Sequence, residues 1–193
     1  MPKLIYSMLT SLDGYIEDEQ GKFDWARPSE EVHSYCTQLG STLGVYLYGR
    51  KMYETMLFWE TAHTIPNLPP HLLDWAKHWQ ATEKVVFSRS LTEPPSARTT
   101  FECELNPAAI LKQNAAAKGD LSISGPGLAA HALKAGLVDE IIMIVFPVIV
   151  GGGKRFFPSG VELDLQLIEQ HQFGDGVISL RYSVRNELSH YVS

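Results

Sequence analysis

The stretch Leu121-Ser122-Ile123-Ser124-Gly125-Pro126-Gly127-Leu128-Ala129-Ala130 decides how this chain is to be read. Its first four residues suit a buried strand, Gly125 punctuates, and Pro126 is pre-set for the first turn of a helix. From Gly125 to Ala130 the form is G-x-G-x-x-A between strand and helix, so a pyrophosphate can rest on the free amides of the helix start. A Rossmann fingerprint shares that form, but it sits at the first strand of its domain and has an acid about twenty residues on. Here the motif arrives late, and Asp139 and Glu140 come too early and ahead of a strand. The Rossmann order is rejected and the pyrophosphate site is kept.

Outward from this motif, strands and helices alternate. Upstream, residues 4–9, 44–48 and 84–88 read as strands and 99–102 as a short fourth. Helices are expected after Pro28-Ser29, where Glu30 and Glu31 occupy the first turn, and after Pro69-Pro70, where Leu72, Leu73, Trp75, Ala76 and Trp79 form an apolar stripe. Asn106-Pro107 opens an Ala-rich helix that ends at Gly119, and the segment 61–70, with three prolines, reads as a loop. Downstream, residues 140–150 are apolar and β-branched, as in a central strand, and 163–173 with 177–184 flank Gly174-Asp175-Gly176 as a hairpin. Alternation predicts a largely parallel sheet with helices on its faces, closed by antiparallel strands. With no linker, repeat or low-complexity tract, residues 1–193 are expected to form a single domain.

Composition narrows the function. The 193 residues are 45% hydrophobic and 20% charged, with a net charge of −6 spread along the chain, so no broad nucleic-acid-binding face is expected. Two cysteines, Cys36 and Cys103, stand far apart, and the seven histidines show no metal spacing, so reduced thiols and no metal are expected. The start of the chain moves straight into a strand, and no apolar run is long enough to span a bilayer; a cytoplasmic protein with no membrane partner is expected.

Two further strand exits resemble the first in kind. Gly49-Arg50-Lys51-Met52 combines a glycine at a helix start with two cations, and Ser88-Arg89-Ser90 offers hydroxyls and a guanidinium, which binds two phosphate oxygens at once. Each also reads as a plain turn. Open α/β sheets bind ligands at the carboxyl ends of their strands, so three such exits on neighbouring strands would make one site. The two arginines would favour NADPH over NADH through its 2′-phosphate.

In order along the chain, six segments resemble the dihydrofolate-reductase-like superfamily. They are Ser11-Leu12-Asp13-Gly14-Tyr15-Ile16, Gly49-Arg50-Lys51-Met52-Tyr53-Glu54, Val85-Val86-Phe87-Ser88-Arg89, Gly125-Pro126-Gly127-Leu128, Gly136-Leu137-Val138-Asp139-Glu140 and Pro147-Val148-Ile149-Val150-Gly151-Gly152-Gly153. The branch is that of the reductase domain of the bifunctional riboflavin-biosynthesis deaminase–reductase and its stand-alone relatives, and the resemblance runs from Lys3 to about Arg185. It implies a three-layer α/β fold, with a mixed, mostly parallel central sheet and a C-terminal antiparallel hairpin, carrying NADPH across its strand ends. Carried over, Gly49, Arg50, Lys51, Ser88, Arg89, Gly125, Gly127 and Leu128 are cofactor residues, with Met52, Ser90, Ser124 and Pro126 in the same three segments. Met52 stands where dihydrofolate reductases often have threonine. The resemblance further implies a homodimer, with the apolar terminal strands as its interface.

Departures concern the substrate. Riboflavin-pathway reductases usually carry an acid two places before the Gly-Pro turn, where this chain has Ile123, and their extended Asp-Pro segment after the second strand is missing. A reductase needs an acid near its substrate, with a pKa raised by burial. Asp13, in the Ser-x-Asp-Gly mark, and Glu30, shortly after Pro28, are the two candidates; a turn aspartate and a helix-dipole partner are the plain alternatives. Trp25, Phe58 and Trp59 suit either stacking on a flat substrate or the core, and Lys154 after the glycine triplet either reaches an anion or follows a flexible turn. The activity that the resemblance implies is NADPH-dependent reduction of a small pyrimidine- or pterin-like substrate, related to that of the 5-amino-6-(5-phosphoribosylamino)uracil reductase of riboflavin biosynthesis. A true dihydrofolate reductase and a catalytically silent NADPH-binding protein are the competing readings.

Overall fold

A computed structural model describes residues 2–185 apart from 92, 107, 109, 111 and 114–116. Ten strands are described: β1 (Leu4–Ser11), β2 (Tyr15–Glu17), β3 (Leu43–Gly49), β4 (Glu83–Phe87), β5 (Thr99–Glu102), β6 (Asp120–Ser124), β7 (Glu140–Phe146), β8 (Lys154–Arg155), β9 (Asp164–Gln172) and β10 (Ile178–Arg185). The described helices are α1 (Glu30–Gly40), α2 (Arg50–Met56), α3 (Phe58–Thr61), α4 (Pro70–Ala81) and α5 (Pro126–Lys134). Eight strands form one sheet in the order β5-β4-β3-β6-β1-β7-β10-β9. The first six run parallel, and β10 lies antiparallel to both β7 and β9. This is the expected mostly parallel sheet with its closing hairpin, turned by Gly176.

Two boundaries differ most from expectation. The strand expected over residues 140–150 stops at Phe146, because Pro147 has no N–H to donate to a ladder. The segment 61–70 contains the end of α3 and a single 3-10 turn at Ala62–Thr64 before the prolines take over. Tyr15–Glu17 is extended and pairs with β8 in a separate ribbon. Most of the Ala-rich helix expected before Gly119 lies outside the described residues.

Side chains alternate across the central strands, which separates the core by face. Leu4, Tyr6, Leu47, Leu121, Ile123 and Ile141 share a continuous cluster with Ala129, Ala132 and Leu133 of α5. On the opposite face α1 covers Ile5, Ile142 and Ile144, while Trp79 of α4 packs in another cluster with Tyr46, Tyr48 and Val86. These two clusters leave a gap over the middle of the sheet.

Candidate active site

Parallel pairing brings the three strand exits side by side. β4, β3 and β6 are consecutive in the sheet, with Gly49 opposite Phe87 and Tyr48 opposite Ser124, so Gly49, Ser88 and Gly125 leave the sheet at one level. Gly125 has φ +95°, a conformation that strains any other residue, and a Cβ there would lie 3.3 Å from Met52 Cβ. A Cβ at Gly127 would meet nothing within 4 Å, so the start of α5 is open, and no side chain caps it. Arg50 pairs with Glu54 at 3.1 Å on the surface, and Arg89 pairs with Glu104, both exposed. Exposed pairs of this kind contribute little, so a phosphate can take either guanidinium. Ser88 Oγ accepts the N–H groups of Ser90 and Leu91 at 3.2 Å each, which shapes the turn that carries Arg89.

A cavity of about 550 Å³ fills the gap between the two clusters. Lys51, Met52, Ser124, Gly125 and Pro126 lie on its wall; the other expected cofactor residues do not. Leu128 packs instead beside the α5-side cluster. The floor is polar where the central strands cross it. Ser7 of β1 and Ser122 and Ser124 of β6 present hydroxyls, and Ser124 Oγ donates to the Ser7 carbonyl at 3.2 Å. Among the described residues the hydroxyls of Ser7 and Ser122 have no protein partner. Phe58, Trp59 and Trp75 form part of the wall, and His33 meets Trp59 edge-on at 6.1 Å. Burial, helped by His71, lowers the His33 pKa, so the imidazole is neutral at neutral pH. Of the three aromatics considered from sequence, Trp25 is the one off this wall; it packs edge-on against Phe146.

Neither expected acid is on the wall. Asp13 accepts from Ser11 Oγ at 2.7 Å and from the amides of Val150 and Gly151 at 3.1 and 2.8 Å. The Ser11 hydrogen bond and those amides together outweigh partial desolvation and hold the carboxyl down at about 2, the wrong direction for a proton donor. It ties the loop after β1 to the loop after β7. Glu30 is 79% exposed, in the first turn of α1, with His71 Nδ1 4.0 Å away. That is the place of a helix-dipole partner. The glycine triplet is likewise explained by chain packing, since a Cβ at Gly153 would sit 2.1 Å from the Glu17 carbonyl oxygen. Lys154 does reach the cavity, 3.9 Å from Glu17, which is also on the wall.

Residues 2–179 match the family described as the RibD C-terminal domain. The chain belongs to that family. The uncharacterized protein YyaP of Bacillus subtilis (strain 168) is 26% identical over 182 residues, 93% of this chain and 94% of that protein. A putative riboflavin biosynthesis protein from Shewanella sp. PV-4 has a similar structure, with TM-score 0.75, 24% identity and coverage of 95% and 99% of the two chains. A pyrimidine reductase-like protein from Corynebacterium diphtheriae matches with TM-score 0.71 at 16% identity, covering 96% and 93%. Against Acinetobacter baumannii RibD the TM-score is 0.68 at 19% identity, and the match covers 96% of this chain but 58% of that one.

For this RibD C-terminal domain, β6 requires a correction. Ile123 is fully buried under α5, on the face away from the cavity, so it says nothing about a missing substrate contact. Ser122 and Ser124 are the residues β6 aims at the cavity. Period-two counting along Leu121-Ser122-Ile123-Ser124 separates these serines from Ile123 without any structure; which pair faces the cavity needs the helix positions.

Proposed function

We propose that this RibD C-terminal domain is an NADPH-dependent reductase of a small pyrimidine- or pterin-like ring, a riboflavin-pathway-like oxidoreductase. One observation carries the reading: three adjacent parallel strand exits, two of them with arginine, leave the sheet at one level, and the exits of β3 and β6 line a cavity large enough for a pair of rings through Lys51, Met52, Ser124, Gly125 and Pro126. Gly125, Pro126 and Gly127 would hold the pyrophosphate, and Arg50, Lys51, Ser88, Arg89 and Ser90 the adenosine phosphates. NADPH, when bound, supplies a hydride. The chain's own part is to orient two rings over Ser7, Ser122 and Ser124 and to limit water around them. With Asp13 committed as an acceptor, Glu30 on the outer surface and Glu17 facing the Lys154 ammonium, the proton is assigned to water entering the open side of the cavity.

The dihydrofolate reductase reading loses its acid once Glu30 lies off the wall, and the silent-binder reading loses its basis once Ile123 faces the core. The proposal includes one domain acting in the cytoplasm as a homodimer through edge strand β9, where Leu167 and Ile168 are half exposed. Among the described residues no helix is long and apolar enough to cross a membrane.

Fluorescence titration with NADPH and NADH tests the site. Arg89→Ala is expected to weaken NADPH about tenfold or more, as for a lost charge-assisted hydrogen bond, and to leave NADH nearly unchanged. Gly125→Val should abolish binding of both. Failure of the wild type to bind NADPH, or an Arg89→Ala loss equal for both nucleotides, rejects the assignment.

A further inference from the structure

We infer that the substrate of this site is an uncharged, flat heteroaromatic ring system without a phosphate ester, an inference that rests on the reductase reading above. Among the described residues the cavity wall carries three permanent cations, Lys51, Lys154 and Arg181. Arg181 is already spent: its Nε and Nη2 donate to Glu140 Oε2 at 2.7 and 2.6 Å. The Glu140 carboxylate is almost fully buried and also takes Lys3. Burial alone would raise the pKa of Glu140, but the hydrogen bonds from Lys3 and Arg181 outweigh it and keep the group ionised. Lys154 faces Glu17, and that carboxylate shares the wall with it, so a second anion brought there meets repulsion as well as attraction. Lys51 belongs to the Gly49-Arg50-Lys51 exit and serves the dinucleotide. His33 is held neutral by its surroundings.

A phosphate dianion placed beyond the cofactor end would therefore be desolvated without a free cation among the described residues, which is unfavourable. What the wall offers there is aromatic and apolar. Phe58 and Trp59 pack edge-to-face at 5.0 Å, and Trp59 and Trp75 at 6.3 Å. Phe58 is 51% exposed and Phe23 46%, both beside the cavity. Half-exposed rings leave apolar area in water, which a flat ligand buries by covering them. The sheet side adds Leu9, Ile142 and Ile144, and the unpartnered hydroxyls of Ser7 and Ser122 can bond the polar edge of a ring. Apolar walls with a few placed hydroxyls recognise a neutral heterocycle, not an ester dianion.

The experiment compares 5-amino-6-(ribosylamino)uracil with its 5′-phosphate, two compounds that differ by the phosphate alone. Quenching of Trp59 and Trp75 fluorescence in the cofactor-free chain reads binding, and loss of NADPH absorbance reads turnover. The dephosphorylated compound is expected to bind at least tenfold more tightly. Glu17→Gln is expected to improve the ester selectively, and Trp59→Ala to weaken both. Equal or tighter binding of the ester by the wild type, or quenching by neither compound, overturns the inference. Because wild-type binding decides it, the inference stays falsifiable even if Trp59→Ala fails to fold. Ring binding without NADPH oxidation leaves the substrate class standing and removes the reductase reading. NADPH oxidation with the ester alone does the reverse.

Discussion

On one face of the sheet, Leu4, Tyr6, Leu47, Leu121 and Ile123 merge into a continuous cluster sealed by α5; on the other, two clusters stand apart and a cavity opens between them. The strands are the same, so the difference comes from alternate residues. Between Leu121 and Ser124, the odd positions are aliphatic and fully buried, and the even ones are serines on the ligand side. A serine in place of a large aliphatic forgoes roughly 1.5–3 kcal/mol of burial. That loss is taken in the middle of β6 and β1, where a ligand needs both room and hydrogen-bonding groups. The sealed face holds the sheet together while the other is left unfilled.

Substituting adjacent residues of β6 is the strongest way to break this comparison. Ile123→Ala should cost about 2–5 kcal/mol in denaturant unfolding, by transfer loss plus the cavity left behind. Ser122→Leu should leave the unfolding midpoint unchanged or raised, because it fills space already present, and should block ligand binding. If Ser122→Leu destabilises as much as Ile123→Ala, the two faces do not differ as described.

A smaller effect is expected at the tie between the loops after β1 and β7. Asp13→Asn removes a carboxylate held by Ser11 and two amides, so it should lower the melting temperature at neutral pH. The sign follows from the lowered pKa. A carboxyl at about 2 in the folded chain and about 3.9 when unfolded stabilises fully above the higher value. The contribution is lost as pH falls through the lower one. The gap between wild type and Asp13→Asn should therefore close as pH drops from about 4 towards about 2. Turnover should stay within about tenfold of wild type, against the about 10²–10⁴-fold loss that removal of a general acid brings. A loss in that larger range would restore Asp13 as the proton donor.

The smallest effect is expected at Glu30. Because it is exposed, in the first turn of α1 with His71 beside it, Glu30→Gln should cost at most about 0.5 kcal/mol and leave turnover unchanged. Abolished turnover would bring the dihydrofolate reductase reading back.

Much of this was legible locally. The strand-glycine-helix exits at Gly49 and Gly125 and the turn at Gly174-Asp175-Gly176 are written in short-range rules of φ, helix starts and turn chemistry. Asp13 was legible as a turn aspartate, but its amide donors come from Val150 and Gly151, more than 130 positions away. The polar floor was passed over because Ser7 and Ser122 are 115 residues apart and carry no motif of their own.

By itself, then, the sequence determined the alternation of strands and helices, the glycine exits and the period-two split of Ser122 and Ser124 from Ile123. These depend on backbone geometry within a few residues. Only the tertiary structure decided that β4, β3 and β6 are consecutive, which face of β6 meets α5, and which acids stand clear of the cavity. Those facts depend on pairing between distant segments, where the same alternating strand can present either face to the core until its neighbours are in place.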